Sequence, residues 1–265
     1  MKKQKIDYSI QTVANGLKLL EAFRNEEELG VTELSRRLDL HKNNVFRLLA
    51  TLELAGYIEQ SSTSERYRLG TSCLELGQSY LRSRSLLRGA RPLLAEVATR
   101  SGESCHLGVM RDFYVVHIDG VGSDQLIGSG LRIGQRLPVH CTALGKVLLG
   151  CAPESFHRDF TLQREHELSL GARTPATIVD SQKFFDQLRT TALRGYALDR
   201  EECESGLSCA AAPVYGEEGQ IVAAISVSGP AFRMGEERLL SEIVPLVTDA
   251  AGRLSRELGF ASRAG

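Results

Sequence analysis

Apolar residues return at helical spacing from the first turns of the chain. Ile10, Val13, Leu17 and Leu20 lie three and four residues apart, Ser9 precedes them as an N-cap candidate, and the acidic stretch Asn25–Gly30 ends the run. Val31, Leu34 and Leu38 mark a short second helix. Asp39-Leu40-His41 follows as a tight turn, and Val45, Leu48, Leu49 and Leu52 give a third helix, with Gly56 at the left-handed position beyond its end. Residues 57–60 and 66–69 then read as two strands around the polar tip Ser61–Glu65. Helix, helix, turn, helix, hairpin is the order of a winged helix-turn-helix.

Helical periodicity returns from Thr71 to about Leu87, and a further helix runs from Ala90 to about Arg100 with Pro92 in its first turn. The expected division is a head over 1–70, a linker helix over 71–88 and a second domain over 89–265. In that domain Ser104–Met110 and Phe113–Asp119 read as strands turning at Arg111-Asp112, and Asp124–Ser129 as a third. Leu144, Val147 and Leu148 mark a short helix after His140-Cys141-Thr142, and Ser181–Leu193 another before Gly195. Leu207–Tyr215 and Ile221–Ser228 read as strands joined at Gly216–Gly219, and a final helix spans Glu236 to about Leu258 with a kink at Pro245. One antiparallel sheet covered by helices, an α+β module, fits this order.

A length of 265 residues suits two domains, and 42% hydrophobic with 25% charged residues supports packed cores rather than disorder. The net charge of −1 excludes a chain-wide basic field, yet residues 1–85 hold 13 Lys/Arg against 11 Asp/Glu, leaving 19 against 22 for the rest. A slightly basic head on an acidic body has the polarity of a DNA-binding module on a soluble partner domain. No apolar run approaches the ~20 residues of a membrane span, and the opening Met-Lys-Lys-Gln-Lys leads into no apolar leader core. A cytoplasmic protein is expected. The six cysteines, at 73, 105, 141, 151, 203 and 209, form no Cys-x-x-Cys pair. Neither a disulfide framework nor a zinc site is expected, and nothing points to a cofactor.

The third helix carries the candidate chemistry of the head. A reading helix needs an apolar face toward its fold and donors and acceptors near its N-terminus. Lys42, Asn43, Asn44 and Arg47 supply the second set. Asn pairs bidentately with adenine and Arg with guanine, while Lys42, Arg36 and Arg37 suit phosphates. Arg66 at the wing suits the adjacent backbone or minor groove, with Glu65 beside it weakening that role. The same polar face also suits plain solvation, or a head that binds protein.

Six segments in order along the chain carry a resemblance. Thr12-Val-Ala-Asn-Gly-Leu-Lys-Leu-Leu-Glu-Ala-Phe23, Val45-Phe-Arg-Leu-Leu-Ala-Thr-Leu52, Gly56-Tyr-Ile-Glu59, Tyr67-Arg-Leu-Gly70, Leu137-Pro-Val-His-Cys-Thr-Ala-Leu-Gly-Lys146 and Gly195-Tyr-Ala-Leu-Asp199 resemble the IclR family of bacterial transcription regulators. The resemblance implies a winged helix-turn-helix joined by a linker helix to a GAF-like α+β effector-binding domain. It also implies a double-stranded DNA operator, a small and often carboxylate-bearing effector, and homodimers or tetramers. One departure is His41-Lys42-Asn43-Asn44, where the family often has a Pro-Lys-Ser-Thr-like start, so operator sequence does not transfer.

The implied effector site lies between the sheet and the helix opening at Thr142, with Ala143 and Leu144 at its N-terminus. Free amides and the helix dipole make an anion site there, and Thr142 suits the cap. Leu126, Ser129, Leu137, Asp199, Leu207, Cys209, Ser226 and Ser228 complete the implied lining, with Arg132 and Arg136 at the mouth. On residue chemistry alone, Asp199 also suits a turn cap, Cys209 a small buried hydrophobe, and the serines backbone partners. Glu201, Glu202 and Glu204 read as a solvated rim, although Asp199, Cys203, Cys209 and His140 are metal-capable types. An enzyme pairing Cys141, Cys203 or Cys209 with His140 or His106 is the rival reading, but no nucleophile–base motif supports it.

Overall fold

The computed structural model describes residues 9–83, 85–167 and 170–261. It divides into two compact units, one ending at Arg84 and one starting at Ser85.

The first unit contains α1 (Gln11–Glu21), α2 (Val31–Leu38), α3 (Lys42–Leu54), strands β1 (Ile58–Gln60) and β2 (Tyr67–Leu69), and α4 (Thr71–Ser83). Leu19, Phe23, Leu29, Leu34, Val45, Leu49, Ile58 and Tyr67 form its core. Burying each Val, Leu, Ile or Phe side chain contributes about 1.5–3 kcal/mol. Leu29 and Tyr67 exchange backbone hydrogen bonds of 2.9 and 3.0 Å, which ties the wing to the segment between α1 and α2. Asp39 at φ 52° ends α2, and Gly56 at φ 74° follows the end of α3. Two expectations fail at α1. Ser9 does not cap it, since Ile10 is the N-cap and makes no side-chain cap bond. The seam Ile10, Val13, Leu17 also points outward, because the core takes the face of Leu19 and Phe23 instead.

In the second unit α5 (Ser85–Ser101) precedes β3 (Ser104–Arg111), β4 (Tyr114–Val121), β5 (Arg136–Pro138), α6 (Ala143–Gly150), α7 (Glu154–Glu167) and α8 (Ser181–Arg194). β6 (Ala197–Arg200), β7 (Leu207–Tyr215) and β8 (Ile221–Pro230) follow. The last helical stretch joins α9 (Glu236–Arg238), a π-helical turn Leu239–Ile243 and α10 (Val244–Glu257). Six strands form one antiparallel sheet in the order β5-β4-β3-β8-β7-β6. Helices α5 and α10 cover one face and α6 with α8 the other. The second face is packed by Val115, Leu144, Val147, Leu148, Phe160, Phe184, Leu188, Ala211 and Ala224. Small residues on β7 and β8 let α6 approach closely, and Gly108 on β3 goes further: a Cβ there would lie 3.0 Å from a Leu144 methyl.

Several boundaries differ from expectation, each for a local reason. Pro92 sits inside α5 rather than in its first turn. Pro92 and Arg88, one turn apart, are both exposed, so water reaches the carbonyl that the missing N–H leaves unpaired. The β3–β4 turn is Asp112-Phe113, one residue later than read, with Arg111 paired to Tyr114. Residues 124–129 form no strand, and the edge of the sheet is β5 instead. β6 and α7 had no clear periodic signal. At Pro245 the irregularity is the π-turn just before it, with the proline in the first turn of α10. Because residues 236–243 before it are already helical, the wider π-turn accommodates the missing donor.

Candidate functional site

The exposed end of α3 is built by its cap. His41 accepts from the Asn43 amide at 3.4 Å, and Lys42, Asn43, Asn44 and Arg47 lie exposed while Val45 and Leu49 are buried. Asn44 and Arg47 share a shallow concavity with Thr12 and Asn15 of α1. Phe46, 56% exposed on the same helix, is a contact candidate that sequence reading missed, because only hydrogen-bonding side chains of this helix were weighed as DNA contacts. Arg36 is exposed. Arg37 and Arg66 have intramolecular partners: Arg37 pairs with Glu26 at 2.7 Å and Glu33 at 2.8 Å, and Arg66 pairs with Glu33 at 3.0 Å. Arg66 also donates to the Glu28 carbonyl at 2.9 Å, so it fastens the wing.

In the second unit a cavity of about 40 Å³ lies between the sheet and the start of α6. One ordered water needs about 10–15 Å³, so the space suits a compact ligand. Thr142 caps α6, its hydroxyl accepting from the Gly145 amide at 3.1 Å and donating to the Pro138 carbonyl at 3.0 Å. The Ala143 and Leu144 amides, at the first two helical positions, have no intrahelical acceptor, and both residues line the cavity. Gly145 is required here, since a Cβ would stand 2.3 Å from both Cα and O of Val139.

Ser129, Leu137, Ala143, Leu144, Asp199, Leu207, Cys209, Ser226 and Ser228 all line this cavity, and Arg132 and Thr142 join them. Leu126 does not. It is fully exposed, because its segment is not a strand and carries no inward alternation. Arg136 is not in the lining either; it stacks over the Tyr114 ring at 4.9 Å and faces Asp112. Reading the sequence as a lining also missed His106, His117 and Cys203.

Burial dominates the electrostatics. Asp199 is pushed up to about 7 by desolvation, partly offset by Lys146 and by bonds from the Glu202 and Cys203 amides. Glu202, expected on a solvated rim, is instead buried against Lys146, whose Nζ lies 2.5 and 2.6 Å from its two oxygens and 3.1 Å from the Leu198 carbonyl. Such a pair persists because removing one partner strands a buried charge. Glu204 does lie at the rim, paired with Arg132. Burial lowers His106 to about 3 and His117 to about 4, so both rings are neutral near pH 7. Cys209 is raised well above an ordinary thiol by the same cause, and a protonated thiol is no nucleophile. His140 bonds the Gly171 carbonyl at 3.0 Å and is not part of the lining. Among the described residues no three His, Cys, Asp or Glu are arranged to hold a metal ion, and no helix is long and apolar enough to cross a membrane.

Comparison with known proteins matches both units. Residues 12–62 match the IclR helix-turn-helix domain, and residues 78–256 match the model described as bacterial transcriptional regulator IclR C-terminal. The HTH-type transcriptional regulator KdgR of Escherichia coli (strain K12) is 34% identical over 252 residues, covering 95% of this chain and 94% of that protein. The HTH-type transcriptional regulator XynR of the same strain is also 34% identical, covering 95% and 98%. A crystal structure of an IclR transcriptional regulator from Alicyclobacillus acidocaldarius superposes with a TM-score of 0.83 at 25% identity, covering 94% of this chain and 99% of that one.

Proposed function

This chain belongs to the IclR family of transcriptional regulators, and on that premise we propose that a small organic acid held at the start of α6 controls binding of α3 to an operator. It is a ligand-responsive regulator with a DNA-binding head and an effector domain, not an enzyme. The observation that carries the finer reading is the cavity closed by a capped helix N-terminus, with two first-turn amides at its wall. A carboxylate there gains amide donors and the helix dipole without needing a buried counter-cation.

In the head, Asn43, Asn44 and Arg47 read base edges, Phe46 offers an apolar contact to a thymine methyl, and Lys42 with Arg36 meets phosphates. Arg66 serves mainly to fasten the wing to α2 and Arg37 to brace the segment between α1 and α2, consistent with their carboxylate partners. Ile10, Val13 and Leu17 form an exposed apolar stripe on α1. This supports a homodimer whose two heads meet two half-sites; a tetramer through the second units is the larger assembly. The regulator acts in the cytoplasm, where its operator is accessible.

Gel-shift titration against DNA flanking its own gene tests the reading. Arg47→Ala is expected to weaken specific binding by about 1–3 kcal/mol, and Lys42→Ala to weaken all sequences alike and reduce the salt slope by about one. Retention of full affinity and sequence preference in both variants would remove α3 from the interface. A short carboxylate that binds the protein without altering that affinity would break the link between the two sites.

A further inference from the structure

The wall of the cavity opposite α6 carries polar chemistry that a carboxylate alone does not use. His106 on β3 and His117 on β4 both line the cavity and are both nearly inaccessible, at 2% and 5% exposure. Their rings meet edge to face with centroids 5.1 Å apart. In each, Nδ1 is buried with no hydrogen-bond partner among the described residues. A buried nitrogen left without a partner forfeits its hydration with nothing in return, so two side by side in a cavity wall are conspicuous.

The sheet brings them together through an irregularity. Gly108 pairs with His117 while Leu107 pairs with Asp119, so Ile118 is an extra residue in β4. The bulge lets His117 face the cavity and Asp119 face Arg91 of α5, with which it pairs at 2.6 Å. His106 pairs with Gly120, whose missing Cβ would have stood 3.3 Å from the His106 Nδ1. Glycine thus keeps a Cβ off that nitrogen, with Leu131 Cδ2 on the same side, 3.0 Å from where that Cβ would stand.

A hydrogen-bond chain sets what the nitrogen offers. Ser228 Oγ donates to Ser129 Oγ at 2.9 Å, and His106 Nε2 lies 2.9 Å from Ser228 Oγ. With its proton committed to Ser129, Ser228 is left to accept, so Nε2 carries the imidazole hydrogen. A neutral ring has only one. Nδ1 is therefore a lone-pair acceptor, and the group that satisfies it must be a donor.

We infer that the effector is a short carboxylic acid bearing a hydroxyl group, its carboxylate at the α6 amides and its hydroxyl donated to His106 Nδ1. This rests on the carboxylate reading of the cavity and adds the second pole. His106 is a specificity-determining residue, His117 packs its edge, and Ser228 with Ser129 fixes the tautomer. A carbonyl in the hydroxyl's place would set one acceptor against another.

Calorimetric titration of the full chain with propionate, each enantiomer of lactate, 3-hydroxypropionate and pyruvate tests this. At least one hydroxy acid is expected to bind about tenfold or more tighter than propionate, with pyruvate gaining no such advantage. A site built to bond a hydroxyl discriminates strongly against the analogue that lacks it. In His106→Leu the advantage of the hydroxyl, read as the ratio of hydroxy-acid to propionate affinity within that variant, should fall below about threefold, as expected once the buried acceptor is gone. In Ser228→Ala, where the tautomer is released, pyruvate should gain on the hydroxy acid. Nitrogen NMR of the wild-type imidazoles keeps the test independent of any variant's folding: Nδ1 of His106 should be the unprotonated nitrogen and should respond to the hydroxy acid but not to propionate. Equal affinity for propionate and every hydroxy acid, or a protonated Nδ1, overturns this inference and leaves the carboxylate reading standing. Binding of none of these acids overturns both.

Discussion

Asp199 is the residue whose ionisation the fold changes in the least obvious direction. Exposed, it loses its proton near 3.8, but in the folded chain it keeps it to about 7. Between those values the folded state holds the extra proton, so Asp199 makes stability fall as pH rises. His106 and His117 act oppositely, with folded values of about 3 and about 4 against 6.5. Below about pH 6.5 the unfolded chain takes up their protons first, and stability is lost as pH falls. Asp199→Asn removes the opposing contribution and keeps a carbonyl oxygen to accept from the Glu202 amide, which now bonds Oδ1 at 2.8 Å. Urea unfolding between about pH 5 and 6 should give the variant a pH slope more positive by about 1.4 kcal/mol per unit, the equivalent of one proton. Identical slopes would mean that Asp199 is ionised in the folded chain.

Among the elements, the β3–β4 hairpin shows local backbone preference set against packing. Its two loop residues, Asp112 at φ 50° and Phe113 at φ 57°, both adopt the left-handed conformation of a type I′ turn. Asp tolerates this, and phenylalanine pays for it. Phe113 remains because its ring meets Phe160 edge to face at 5.4 Å beside the core under α6. Asp112→Gly should leave stability unchanged or raise it by up to about 1 kcal/mol, since only exposed ion pairs with Arg136 and Arg111 are lost. Phe113→Gly gains the same backbone relief yet should lose about 1–2 kcal/mol net through the missing aromatic contact. Thermal denaturation of the two variants checks this, and a more stable Phe113→Gly would show that strain outweighs packing. The hairpin also marks what could be read without coordinates. The long strands β3, β4, β7 and β8 and the Thr142 cap were legible, because alternation and capping are local, whereas the short edge strands β5 and β6 carry too few residues to show alternation. Phe113 read as a strand residue, since nothing local reports a partner 47 positions away. His106, His117 and the Lys146–Glu202 pair escaped for the same reason: a bulge at Ile118 and a salt bridge spanning 56 residues are properties of register and packing. Leu126 misled because a short apolar run bounded by turn residues fits both a strand and an exposed loop.

For the whole molecule, regulation requires that the cavity and α3 share a free energy. An effector shifts DNA affinity only by the factor with which it binds the DNA-competent and DNA-incompetent arrangements differently. The helix α3 proposed to read the operator belongs to the unit ending at Arg84, and the proposed effector cavity to the unit beginning at Ser85. Coupling of this kind is commonly about 1–3 kcal/mol, or 5–150-fold, and is reciprocal. A hydroxy acid that changes operator affinity by some factor must find its own affinity changed by that factor when the operator is saturating. Measuring both sides in one buffer, gel shift with and without acid and calorimetry with and without operator, gives two numbers that linkage requires to agree in size and sign. Disagreement would show that the acid acts on a different species, such as an assembly state populated in only one of the two experiments. Agreement would also give a scale for the cavity wall. If His106→Leu weakens acid binding but leaves the factor unchanged, the hydroxyl pole selects the ligand and the α6 end transmits it. If the factor collapses toward one, the transmission runs through β3.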